Sequence, residues 1–158
     1  MPELALPAAG AVLAFDYGEK RIGVASGDLA LRVAMPLQTI AAESNDDRFG
    51  AVASLLREWE PVLLLVGLPV HLDGSGHDMT RLARKFANRL HGRFGLPVRL
   101  VDERLSSALA DSMLAETGLR ARKRKPALDQ VAAQQILQQF FDYPAQSIPH
   151  DAPGEYPV

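Results

Sequence analysis

The sequence predicts an α/β domain built on a mixed five-stranded sheet, three antiparallel strands followed by parallel ones, with helices on both faces. Three observations carry this prediction. Three strand-like segments follow one another before any helical period appears. The next apolar run, VLLLVGL at residues 62–68, is continuous, as in a strand buried on both faces. From there strand and helix patterns alternate, which calls for parallel crossovers.

Taken in order, residues 11–15 are apolar and bounded by Gly10 and Gly18, which suits a buried strand. RIGVASGD, residues 21–28, is a second strand reached through a hairpin connection. LRVAMPLQTI, residues 31–40, is a third, and Pro36 places it at an edge or a bulge. NDDRFGAVASLLREWE opens with acidic and amide residues. It then repeats Phe49, Val52, Ala53, Leu55 and Leu56 at helical spacing, and Pro61 ends it. After the central strand, HLDGSGHD is turn chemistry and MTRLARKFANRLHGRFG a helix closed by glycine. LPVRLVDE is the fifth strand, and Ser106 or Ser107 caps a short helix running to about Gly118. A basic loop follows, and Pro126 opens the last helix, ALDQVAAQQILQQFF. The folded domain is expected at residues 11–143, between a flexible N-terminus at 1–10 and a disordered tail at 144–158. This βββαβαβα order is that of the ribonuclease H-like fold. Fold alone assigns no activity.

Composition narrows the function. A chain of 158 residues suits one domain with a sizeable core, and 47% hydrophobic with 23% charged residues is ordinary for a globular protein. There is no cysteine, which excludes disulfides, thiolate catalysis and cysteine-ligated zinc. The longest apolar run, residues 61–70, falls short of the roughly 20 residues of a membrane span. MPELALPAAG lacks the basic region of a signal peptide, so a cytoplasmic protein without membrane association is expected. No apolar face marks a dimer interface, so a monomer or weak homodimer is expected. The formal net charge of −2 gives no global basic field, yet RARKRK at residues 120–125 is a local positive patch.

Three acids stand out by placement. Asp16 ends the first strand, Asp102 and Glu103 end the fifth, and Asp129 lies in the first turns of the last helix. Each alone could be a turn residue, a cap or an ion-pair partner. Asp129, however, is followed at i+3 and i+4 by Ala132 and Ala133, small enough for close contact with a sheet. A carboxylate on that packed face must be paired, hydrogen-bonded or metal-bound. Acids converging from two strands and this helix would form an all-oxygen site for one or two Mg²⁺ or Mn²⁺ ions. Such a site suits in-line phosphodiester hydrolysis and needs no nucleophilic side chain. Gly18, Lys20 and Arg21 beside Asp16 would make room and charge for a phosphate, and Arg104 would orient a carboxylate or hold a phosphate.

FDYGEKRIGVASGD, VGLPVHLDGSG, VDERLSSALA and RKRKPALDQVAAQQILQQF resemble, in order, the four signature blocks of the YqgF family, also called RuvX. The blocks span residues 12–141. These bacterial proteins are related to the Holliday-junction resolvase RuvC and are classed as pre-16S rRNA nucleases. The resemblance implies a ribonuclease H-like nuclease domain, metal-dependent chemistry and maturation of the 5′ end of 16S rRNA on ribosomal precursor particles. It also implies Asp16, Glu103 and Asp129 as the acidic triad. Alternation lets only one of Asp102 and Glu103 face the site, and the family pattern favours Glu103. A hydroxyl pair, Ser106 and Ser107, stands where the family usually has Ser-Thr. With the triad in view, Arg122, Lys123, Arg124 and Lys125 would flank the metal site and bind substrate backbone.

Structured RNA is therefore the expected substrate. The alternatives are branched DNA, as kinship with RuvC allows, and a non-catalytic RNA-binding or ribosome-assembly role. DYGEKRIGVA also resembles the first phosphate loop of actin-like ATPases and sugar kinases. Those clamp nucleotide between two domains, for which this chain has no room.

Overall fold

The computed structural model describes residues 6–69, 78–102 and 121–151, with side chains excepted at 121–128. Strands β1 (Ala11–Asp16), β2 (Arg21–Asp28) and β3 (Ala34–Ala41) come first, then helix α1 (Asn45–Trp59), β4 (Leu63–Leu68), α2 (Asp78–Phe94) and β5 (Val98–Asp102). Helix α3 (Ala121–Asp142), a 3-10 turn (Pro144–Gln146) and β6 (Ile148–Pro149) complete the described chain. The sheet order is β3-β2-β1-β4-β5-β6. Strands β1, β2 and β3 pair antiparallel, whereas β1, β4 and β5 run parallel. This is the mixed α/β architecture that the element order predicts.

Period-two alternation sorts the strands into two faces. Leu13 and Phe15 of β1, Ile22 and Val24 of β2, and Val98 and Leu100 of β5 pack with Phe49, Val52 and Leu55 of α1 and Phe86 and Leu90 of α2. Val12 and Ala14 of β1, Ala25 of β2 and Val101 of β5 pack with Ala133, Ile136, Leu137 and Phe140 of α3. Every residue of β4 is buried, which explains its unbroken apolar run. Pro36 sits on edge strand β3, where the pairing with β2 shifts register between Val24 and Ala25. A proline without an N–H is accommodated at such a place.

Two expectations are corrected. Among the described residues the sheet has six strands, because residues placed by the sequence in an unstructured tail add β6 antiparallel to β5. Two residues are too few to show a period; the strand is held by buried Ser147, which accepts from Arg99 Nε at 2.6 Å, and by Ile148 packed on the core. The last helix starts at Ala121, not Pro126, so the basic loop is in fact its first turns. Ala, Arg and Lys are strong helix formers and extend the helix N-terminally past the proline. The short helix expected at 106–118 lies outside the described residues.

The end of β6 carries a pH dependence. The His150 ring stacks on His91 with centroids 4.3 Å apart, and its Nδ1 lies 2.9 Å from Asn88 Oδ1. Burial, then the neighbouring His91, pushes His150 below its ordinary value of 6.5, against the opposing pull of Asp151. The folded state therefore favours the neutral ring, and the unfolded chain takes up the proton first as pH falls. Its contribution is whole above about 6.5 and is lost as pH drops toward and through the folded value. Thermal scans should show Tm falling between about pH 7.5 and about pH 5, with a shallower slope for His150→Asn. An identical slope in the variant would remove His150 as the cause.

Candidate active site

The site forms where β1 ends. Asp16 shares parity with Val12 and Ala14, so it belongs to the face that α3 covers. In the β1–β2 ladder Asp16 pairs with Gly23, and Gly23 pairs in turn with Thr39 of β3. Helix α3 lies directly on this row. A Cβ on Gly23 would stand 2.0 Å from the main-chain oxygen of Asp129 and 2.9 Å from its Cβ. Gly23 thus admits the backbone of α3, and Asp129 is set over the residue that pairs with Asp16, partners in such a ladder standing about 5 Å apart. The next residue, Gln130, donates from Nε2 to Thr39 Oγ1 at 3.2 Å. Two of the three predicted acids are brought together on one face.

Asp129 is oriented as well as placed. Arg21 Nε donates to its Oδ2 at 2.7 Å, with both side chains partly exposed. Part exposure keeps the energy of this pair near or below about 1 kcal/mol, so its effect is to hold one oxygen in place. Arg21, expected to offer charge to a phosphate, thus holds a carboxylate. Gly18 likewise answers to its own chain, because a Cβ there would come 2.5 Å from the carbonyl oxygen of Arg21. It permits the tight β1–β2 turn, on which Lys20 stands exposed. Arg122, Lys123, Arg124 and Lys125 lie on the first turns of α3, the segment that leads into Asp129. Glu103 and Arg104 lie outside the described residues. Asp102 shares parity with Val98 and Leu100, on the face opposite Asp16 and Asp129.

Several residues that build the site escaped the sequence reading. Gln134 donates to the Ala34 carbonyl at 3.0 Å, and Gln138 accepts from the Ala34 N–H at 3.1 Å. With Gln130 they form an i, i+4, i+8 stripe that fixes α3 along β3. On its other side Gln139 donates to the Asp102 carbonyl at 2.8 Å, tying down the end of β5. The four-residue spacing of the glutamines was the available signal.

Arg48 is the other omission. It is only 3% exposed and lies on the apolar stripe of α1 with Val52 and Leu55, which was its signal. Its Nε donates to the Ala42 carbonyl at 2.7 Å and its Nη2 to the Glu19 carbonyl. The guanidinium stacks 5.2 Å over the Tyr17 ring, which packs on Phe86. Arg48 therefore clamps the turn that joins Asp16 to Arg21. Arg48→Met keeps the stem but leaves the part-buried Ala42 and exposed Glu19 carbonyls without their charged donor, and should cost about 1–3 kcal/mol in urea unfolding. A loss below about 0.5 kcal/mol would mean that water replaces the clamp.

The donor set fits a hard divalent cation. Asp16 and Asp129 supply carboxylate oxygens on one face, and among the described residues the contact on Asp129 engages Oδ2. No group of three or more His, Cys, Asp or Glu side chains is assembled among the described residues, the third predicted acid lying beyond them.

The strand order, the two-faced packing and the acid at the end of β1 define a ribonuclease H-like α/β protein. RuvC of T. thermophilus, solved in complex with a Holliday junction substrate, has the same fold at a TM-score of 0.52 and 16% identity, covering 89% of this chain and 99% of its own. The sequence profile of the RuvX family, described as Holliday junction resolvase, matches residues 10–143. A relative from Methylobacillus flagellatus is 60% identical over 142 residues, covering 90% of this chain and 97% of its own. One from Dechloromonas aromatica is 58% identical over 140 residues, covering 89% and 96%. Both bear the name "Putative pre-16S rRNA nuclease". The chain belongs to the RuvX family, whose members are named as nucleases.

Proposed function

We propose that this protein is a metal-dependent endonuclease that hydrolyses phosphodiester bonds in structured RNA, maturing the 5′ end of the 16S rRNA precursor in the cytoplasm. The observation that carries this reading is the juxtaposition of Asp16 and Asp129 across Gly23, at the end of β1. Glu103 is taken as the third acid because Asp102, the other candidate, shares parity with Val98 and Leu100 on the face opposite Asp16. These three would hold Mg²⁺ or Mn²⁺, which would activate the attacking water and stabilise charge on the departing oxygen. The chain's own part is positional. Arg21 fixes the Asp129 carboxylate, the turn clamped by Arg48 fixes Asp16, and exposed Lys20 offers a phosphate contact.

Branched DNA is the second reading, favoured by the description of the matching family profile. The two are separated by incubating the full chain with a precursor 16S fragment and with a four-way DNA junction, with and without Mn²⁺. Metal-dependent cleavage of the RNA alone supports the proposal. Cleavage of the junction alone transfers it to DNA, and cleavage of neither overturns both.

A further inference from the structure

Helix α2 carries five basic residues, Arg81, Arg84, Lys85, Arg89 and Arg93, against one acid, Asp78, which is paired with Arg81. The whole chain has a net charge of −2, so this concentration is local. Its arrangement is ordered as well. Arg81, Lys85, Arg89 and Arg93 follow at intervals of four, all are exposed, and the opposite side of the helix is buried through Ala83, Phe86, Ala87 and Leu90. The spacing sets a positive charge about every 6 Å along roughly 18 Å of helix.

The stripe reaches the turn that follows Asp16, from the face of the sheet opposite α3. Lys85 and Arg89 line a cleft of about 60 Å³ together with Tyr17, the residue after Asp16, and with Asn45 and Phe49 of α1. Arg93 continues it, its guanidinium 4.2 Å over the Phe49 ring. The N-terminal end of α2 lies at the end of the sheet where β1 finishes, because α2 follows parallel strand β4, and Thr80 there bonds the Pro69 carbonyl. The acids near Asn45 in sequence, Glu43, Asp46 and Asp47, lie at or just before the first turn of α1, and within α2 the one acid, Asp78, pairs with Arg81.

We infer that the exposed edge of α2, from Arg81 to Arg93, is a docking track for the sugar–phosphate backbone of a nucleic acid, guiding one arm of a structured substrate away from Asp16. The inference rests on the nuclease reading for its choice of substrate and adds where that substrate lies. Contacts of this kind fix position without reading sequence, and they weaken steeply with salt.

The test measures binding apart from turnover. Anisotropy of a labelled RNA hairpin, and of the matching DNA hairpin, is titrated with the full chain in EDTA across a range of salt. The variant replaces Arg81, Lys85 and Arg89 by Gln together, with Arg57→Gln as a control on the exposed side of α1. The triple variant should bind at least about tenfold more weakly, and its log–log salt slope should fall by about two to three. Lys85→Arg with Arg89→Lys should bind as wild type, since charge is retained, and thermal unfolding should show the triple variant folded. Undiminished binding by the folded triple variant overturns the track and leaves the nuclease reading standing. Weakened binding by that variant, in a protein that cleaves neither substrate, supports the track and removes the nuclease reading.

Discussion

Asp129→Asn should lower metal-dependent cleavage by at least about a thousandfold while leaving the fold intact. The substitution keeps the side-chain shape, so the close contact of α3 with Gly23 is undisturbed. It removes the negative charge from one of the two acids placed at neighbouring strand positions at the end of β1, and with it the hard donor that the proposed cation would use. Charge stabilisation by a bound metal is worth several kcal/mol, and each 1.36 kcal/mol is tenfold in rate, hence the size of the effect. The lost ion pair with Arg21 is partly exposed and should cost about 1 kcal/mol or less of stability. Activity and stability should therefore separate: single-turnover rates collapse while Tm moves by a few degrees at most. Arg21→Gln is the informative partner. It leaves the carboxylate but releases Oδ2, and should cost about 10–100-fold, as loss of a ligand's orienting contact does. Equal cleavage by wild type and Asp129→Asn would remove the acid from the chemistry.

The sequence made Asp16 and Asp129 legible because period and placement suffice for them. Asp16 was marked by its place at the end of an apolar run, and the small residues Ala132 and Ala133 gave the packed side of the last helix. The central sheet was legible because its strands are buried on both faces and read as continuous apolar runs. β6 was not, because two residues make no such run and its anchor is a long-range bond between Arg99 and Ser147. The start of α3 was misread because Pro126 is a signal for a first turn, and the propensity of the residues before it outweighed that signal. Arg48 was passed over because a charged residue on an apolar stripe reads as a surface position until its carbonyl partners, set by the folding of distant turns, come into view. The basic stripe of α2 was hidden by its own helical period, which drew the eye to the buried side.

Gly23→Ala should damage both stability and catalysis, and through one cause. The added Cβ would meet the Asp129 main-chain oxygen at 2.0 Å and its carbonyl carbon at 2.3 Å. These are backbone atoms of a 22-residue helix, so no flexible side-chain end can yield. Reaching even the 3.0 Å below which real Cβ atoms are essentially never found requires α3 to lift by about 1 Å. Overpacking of this kind costs about 1–3 kcal/mol, and Tm should fall accordingly. The shift carries Asp129 away from Asp16, and a displacement of about 1 Å can cost a hundredfold in rate. Gly50→Ala, at an exposed position of α1 where the new carbon would meet nothing outside its own helical turn within 4 Å, supplies the contrast. It should stabilise the protein by about 0.5–1 kcal/mol through helix propensity and leave cleavage unchanged. If Gly23→Ala matched wild type in both Tm and rate, close seating of α3 on β2 could not be what aligns the two acids. Glycine is a poor strand residue, and its place opposite Asp16 is explained by the helix it lets through.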